Sequence, residues 1–194
     1  MGQRALEKEQ VRRIDAPACN VETAPQVSTF QTDMGWFGLL GHGRAIVALT
    51  IGHCTNNEVR SAIRHRLGLD SADPDPVESD WNPELRSRLV RYARGENVDF
   101  TDCNIRLPQL TAFQKRVLDS TRKIPYGKTL SYAELADKAG SPQAARAVGN
   151  VMASNRVPIL VPCHRVVASD GKLGGFSAPQ GTDLKRRMLE MEAP

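Results

Sequence analysis

Three apolar, β-branched and aromatic runs, VSTFQT, GWFGLLGH and RAIVALTIG, follow one another with only the turn signals Asp33-Met34-Gly35 and His42-Gly43 between them. Connections this short join antiparallel neighbours, because a parallel crossover needs about a dozen residues or more. A small antiparallel sheet is therefore predicted over residues 27–52. Beyond it the apolar period lengthens to that of a helix, roughly from Asn57 to Leu67 and from Pro83 to Arg94. The acidic, proline-bearing stretch DSADPDPVESD between them reads as a loop or linker.

The second half reads as helices. Thr111-x-x-Gln114 and Ser131-x-x-Glu134 are capping boxes, in which the first side chain accepts from a free helical amide and the last reaches back to do the same. The first box opens FQKRVLDSTRK, with Phe113 and Val117 on its apolar face, and the second opens YAELADKA, which Gly140 stops. Ser141-Pro142 is then expected to cap and start QAARAVGNVMAS, a helix rich in Ala and Gly with Arg146 as its long cation. Two short helices across a tight turn make a helix-turn-helix, and small residues on the second permit close backbone approach. VPILV reads as a strand-like run that delivers Pro162-Cys163-His164-Arg165 to its end, and the last helix begins near Thr182.

These periods divide the chain into an irregular arm over residues 1–25, a sheet-plus-helices domain over 26–104 and a mostly helical domain over 105–194, an α/β chain of the α+β kind. Charge follows the division: 12 basic and 15 acidic residues precede Asn104, and 14 and 7 follow from it, a net −3 against +7. A domain that carries all the excess positive charge is the expected footprint of a polyanion partner. MGQRALEKEQ lacks the apolar core of a signal peptide, and no window approaches the about eighteen apolar residues of a membrane span. A cytoplasmic protein without a membrane partner is expected, or a nuclear one in a eukaryotic host. Cys19, Cys54, Cys103 and Cys163 form no C-x-x-C pair, which suits reduced thiols in such a compartment.

Cys163 beside His164 is a candidate nucleophile and base, since the thiolate is the reactive form and an unaided cysteine is mostly thiol near neutral pH. The same dipeptide also fits an ordinary core position. Its surroundings decide. Val161-Pro162-Cys163-His164-Arg165-Val166 contains a P-C-H-R-V signature, Arg146-Ala147-Val148-Gly149 lies upstream, Asn155 stands eight positions before the cysteine, and Gly127 is followed by Ser131-Tyr132. In these motifs, in order and spacing, the chain resembles the O6-alkylguanine-DNA alkyltransferase family over most of residues 110–192. Residues 26–100 resemble it in layout only.

The resemblance implies a ribonuclease-H-like N-terminal domain and a winged-helix-like C-terminal one. It implies DNA repair by irreversible, stoichiometric transfer of a methyl or other alkyl group from O6 of guanine to Cys163, and leaves O4 of thymine open as a second substrate. His164 would take the thiol proton through an ordered water, oriented by Glu192, with Glu190 as the neighbouring alternative. Tyr132 would donate to the departing base and Asn155 would form the hinge. Arg146 would fill the gap left by a flipped nucleotide, with Ala145, Ala147, Gly149 and Tyr132 against double-stranded DNA. Tyr132, Met152, Val166, Phe176 and Ser177 would line the base pocket, the Ser177 amide meeting O6 and the carbonyls of Cys163 and Val166 the exocyclic amine. No cofactor or metal is implied: Cys19, Cys54, His42 and His53 do not supply a convincing zinc set. A monomer is expected.

Two departures stand out. Arg156 follows Asn155 where the family often has proline, and Leu118 stands where it commonly has tryptophan. A Cys-His hydrolase would require multiple turnover, which the P-C-H-R context does not suggest, and a transcriptional regulator would be expected to show a further DNA-reading domain, of which none is evident.

Overall fold

The computed structural model of the chain describes residues 25–70, 72–73, 75–107 and 109–193; all but the last residue of the expected N-terminal arm, Cys19 included, lies outside them. Strands β1 (Gln26–Thr32), β2 (Gly35–His42) and β3 (Ala45–His53) form an antiparallel sheet in the order β1-β2-β3. Its pairing is set by the short turns, with Thr32 opposite Gly35 and His42 opposite Ala45. Both faces are buried. Phe30, Phe37, Leu39, Leu49 and Ile51 point into the main core, while Val27, Leu40 and Ala48 pack under Val59 and Ile63 of helix α1 (Asn56–Leu67). A register shift between Leu40 and Gly41 breaks the alternation, and Ile46 joins the same core as Leu49 despite their odd spacing.

Neither edge of the sheet is left bare. On β1, Ser79 N–H donates to Val27 O at 2.8 Å, so the acidic stretch is a loop tied to the sheet and to α1 through Arg60–Glu78 and Arg64–Asp75 pairs, not a spacer. On β3, Ile46 N–H donates to Asn104 O (2.8 Å), Arg106 N–H to Ile46 O (2.9 Å) and Leu49 N–H to Arg156 O (2.8 Å). The last bond couples the sheet to the segment that carries Asn155. Helix α2 (Pro83–Ala93) turns Leu85, Leu89 and Tyr92 inward.

Helices α3 (Ala112–Arg122) and α4 (Tyr132–Lys138) start at the two capping boxes, both with reciprocal bonds formed. Helix α5 (Ala145–Ala153) does not start where its sequence suggests. Ser141–Ala144 is instead a turn closed by Ala144 N–H to Ser141 O at 2.9 Å, and Ala144 caps the helix without a side-chain bond. Ser141 is spent on the turn, which shortens the helix and puts Arg146 in its first turn.

The strand-like reading of VPILV is also corrected. Val157–Val161 is a tight turn closed by Val161 N–H to Val157 O at 2.9 Å, with buried Ile159 at φ +71°, a left-handed conformation that β-branched residues rarely adopt. Pro158 and Pro162 supply no N–H for a ladder, so apolar composition alone does not make a strand here. Short strands β4 (Leu130–Ser131) and β5 (Val166–Val167) pair in parallel, and α6 (Gly181–Glu192) closes the chain.

Candidate active site

Pro162 bends the chain into the site. At φ −76° and ψ 67° it is the centre of an inverse γ-turn, with Cys163 N–H to Val161 O at 2.7 Å, and Cys163–Arg165 then form one 3₁₀ turn. A single turn thus gives the three side chains different directions within the core. Cys163 is 5% exposed and His164 fully buried.

His164 Nε2 lies 2.9 Å from Oε1 of Glu192, whose carboxylate is 2% exposed on the last turn of α6. Oε1 also accepts from the Tyr92 hydroxyl (2.7 Å) and Arg165 Nη2 (2.9 Å), and Oε2 accepts from Arg165 Nε (2.8 Å) and Gly127 N–H (3.2 Å). Burial alone would push this carboxyl up, but the bonds from His164 and Arg165 and the charge of Arg165 hold it well below the usual carboxylate range. A carboxylate can only accept, so Nε2 carries the imidazole proton and Nδ1 keeps its lone pair. Nδ1 is buried and has no hydrogen-bond partner among the described residues.

Burial pushes the His164 pKa down and the Cys163 pKa up, so both rest neutral near pH 7. The Asn155 amide and the Lys185 charge work the other way on the thiol and favour its anion. Asn155 is itself fixed by bonds from Nδ2 to Val161 O (2.9 Å) and from Val157 N–H to Oδ1 (3.1 Å). Tyr132, the first residue of α4, has its pKa raised by burial and by Cys163, which keeps it a hydroxyl donor. Gly174 makes room for it: a Cβ there would lie 2.6 Å from the Tyr132 hydroxyl.

The predicted residues divide into three groups. Cys163, His164, Glu192, Asn155 and Tyr132 converge, whereas Glu190 points to solvent. Arg146 and Ala147 are exposed on α5, with Ala145 and Gly149 half-buried beside them; Arg146 enters no ion pair among the described residues. Met152 is buried between α5 and α3, where Thr121 donates to its sulfur. Val166 is buried and its carbonyl already accepts from Lys185 Nζ at 2.7 Å, Phe176 is half-buried against the core, and Ser177 is exposed on the same loop.

Three participants escaped the sequence reading. Arg165 belongs to the signature, but its pairing with Glu192 had not been assigned. Lys185 is fully buried, bonds Val166 O and Leu173 O, and so pins both ends of the loop after Cys163. Its spacing from Met188 and Glu192, three and seven residues, places it on the buried face of α6 and could have exposed it. Tyr92 comes from α2, 100 residues from Glu192, and looks like any core aromatic on an i, i+4, i+7 stripe.

Residues 112–194 match the family model of the 6-O-methylguanine DNA methyltransferase DNA binding domain. The chain is 47% identical over 108 residues to the methylated-DNA–protein-cysteine methyltransferase of Methanopyrus kandleri, across 56% of this chain and 78% of that one. Its fold resembles the crystal structure of Mycobacterium tuberculosis O6-methylguanine methyltransferase, with a TM-score of 0.69 and 36% identity over 88% of this chain and 96% of the other. The structure of the same bacterium's protein in complex with DNA gives 0.66 and 35%, over 87% and 95%. The fold is that of an O6-methylguanine methyltransferase. The chain belongs to the methylated-DNA–protein-cysteine methyltransferase family.

Proposed function

We propose that this chain repairs double-stranded DNA by transferring a methyl or other alkyl group from O6 of guanine to Cys163. The observation that carries the assignment is the state of His164, next in sequence to Cys163: Nε2 is committed to Glu192, while Nδ1, buried and without a hydrogen-bond partner among the described residues, keeps a lone pair that can act as a base. Buried polar atoms are rarely left unsatisfied, and a bridging water would both satisfy this nitrogen and link it to the thiol. The thiol proton passes through that water to Nδ1. Sulfur then attacks the alkyl carbon, the S–C bond forms, and the C–O6 bond breaks with its electron pair on guanine. Tyr132 donates to the base as that charge develops, and guanine finally takes up the proton that the thiol lost.

The product is a thioether, which no second thiol displaces, so each protein acts once. The neutral, desolvated resting pair supports this economy, since a permanently ionised thiol would react with unrelated electrophiles. We assign DNA binding and transfer to residues 105–194, with the +7 half facing phosphates and the small exposed face of α5 around Arg146 facing the groove. Ser177, Met152, Phe176 and Val166 complete the base pocket. No helix among the described residues is long and apolar enough to cross a membrane; dispersed free cysteines support a reducing, cytoplasmic setting, or a nuclear one in a eukaryote.

Intact-protein mass after incubation with a duplex carrying O6-methylguanine is the direct test. One methyl group per protein, located on Cys163, is expected. Product exceeding protein, or methylation on Cys54 or Cys103, would refute the assignment.

A further inference from the structure

We propose that Tyr92, delivered by α2 from the sheet-bearing half of the chain, is a positioning residue for alkyl transfer that holds Glu192 and thereby orients His164. This role rests on the transfer reaction assigned to Cys163 above. Its basis is geometric. The phenol is fully buried, its hydroxyl donates to Glu192 Oε1 at 2.7 Å, and its oxygen lies 3.2 Å from His164 Nε2, whose one proton is directed at the same carboxylate. The hydroxyl proton is therefore spent on the carboxylate that holds the imidazole. The ring cannot swing away. It packs edge-on to Phe100 (6.0 Å between centroids, 73°) and Tyr126 (6.4 Å, 87°), and lies 6.4 Å from the His164 ring.

Glu192 sits on the last turn of α6, where an unanchored end frays. Arg165 holds the carboxylate from the Cys163 turn and is itself tied to Ile124 O at 2.7 Å, and Gly127 N–H donates to Oε2, so these bonds refer the carboxylate to the Cys163 turn and the segment after α3. Tyr92 adds a tie from α2, whose Leu85 and Leu89 are locked in the core under the sheet. The charged and titratable groups that face His164 are Arg165 from its own turn, Glu192 and Lys185 from α6, and Tyr92 from α2, with Cys163 next to it in sequence; Tyr126 also faces Glu192. Among them the Tyr92 hydroxyl has a definable effect. By donating to Glu192 it weakens the carboxylate's pull on the imidazole, and it keeps the imidazole neutral to lower pH.

Tyr92→Phe in the full chain removes the hydroxyl and keeps the ring. The single-turnover rate on a duplex carrying O6-methylguanine should fall about 10-fold, a part of the roughly 10²–10⁴ that a well-placed proton acceptor contributes. Duplex affinity should be unchanged, and the acid limb of the rate–pH profile should move to higher pH. Nitrogen NMR of the His164 ring should show the imidazolium persisting to higher pH than in the parent. Site-specific replacement of Tyr92 by 3-fluorotyrosine, a stronger donor of nearly equal size, should move the acid limb the opposite way, and it decides the matter if the phenylalanine variant does not fold. A parent that methylates Cys163 beside variants with the parent's rate and acid limb would overturn the role of Tyr92 alone. A parent that never methylates Cys163 would overturn the reaction, and the role with it.

Discussion

His164 Nε2 and Glu192 Oε1 stand 2.9 Å apart although 28 residues separate them, and the carboxylate is at the same time doubly bonded to Arg165. The Glu192 charge is thus matched before the imidazole is considered. An anion already balanced in this way orients a histidine more than it draws a proton through it, which is the behaviour of the buried aspartate in a serine protease triad. The thiol consequently rests protonated.

The first prediction concerns reactivity without DNA. Burial lifts the Cys163 pKa and lowers that of His164, so there is no thiolate–imidazolium pair to trap. Iodoacetamide near pH 6 should label exposed Cys54 well before Cys163, as read by peptide mass mapping. Transfer from O6-methylguanine should in contrast persist below pH 6.5, the ordinary histidine value, because the base stays neutral there. Rapid labelling of Cys163 at pH 6 would show a preformed ion pair and exclude the neutral resting state.

Acid should destabilise the fold in two stages. His164 and His53 are both held below 6.5 by burial, so from 6.5 downward the unfolded chain binds protons that the folded chain refuses. Stability therefore falls with pH. The depressed pKa of Glu192 adds a second loss that begins near 4.5, its ordinary value, and continues down to its folded one. Thermal melting from pH 7 to 3 should show both, and Glu192→Gln should flatten the lower stage. An equally steep lower stage in that variant would assign it to other carboxylates.

Gly127 and Gly140 both adopt φ +70°, but a Cβ at Gly127 would lie 2.7 Å from Glu192 O, whereas nothing stands within 4 Å of one at Gly140. Alanine at Gly140 should lose only the backbone term, roughly 1–3 kcal/mol. Gly127→Ala should lose more and should also slow transfer, because the end of α6 must move and take Glu192 with it. Urea unfolding midpoints and single-turnover rates check both; equal losses in the two variants would mean that α6 yields freely.

What the sequence revealed depended on how locally each feature is encoded. The strands and the two capping boxes formed within about a residue of their expected places, because two-residue turns and Ser131–Glu134 reciprocity involve only near neighbours. VPILV failed since a strand needs a partner, and prolines at 158 and 162 remove the donors one would use. The start of α5 failed because Ser141 serves a turn as readily as a helix cap. At the site, adjacency and motif gave Cys163 and His164, and the match of motifs gave Glu192. Tyr92 and Lys185 act across 100 and 19 residues, and a buried tyrosine on an apolar stripe carries no mark that its hydroxyl has a partner.

The last prediction separates nucleotide extrusion from chemistry. Arg146 is exposed in the first turn of α5 and bonds none of the groups around Cys163, while the thiol is buried, so a duplex base must leave its stack to reach it. Arg146→Ala should slow repair of O6-methylguanine in duplex DNA strongly, yet change little the reaction with a free alkylated guanine base, which needs no extrusion. Cys163→Ser should abolish both reactions and leave duplex affinity nearly intact, since an alcohol of almost the same volume is a far poorer nucleophile at neutral pH. The arginine and the cysteine would then divide the function between them. If Arg146→Ala lost both reactions equally with its thermal melt preserved, the arginine would belong to the base pocket or the chemical step, and the exposed face of α5 would need another role.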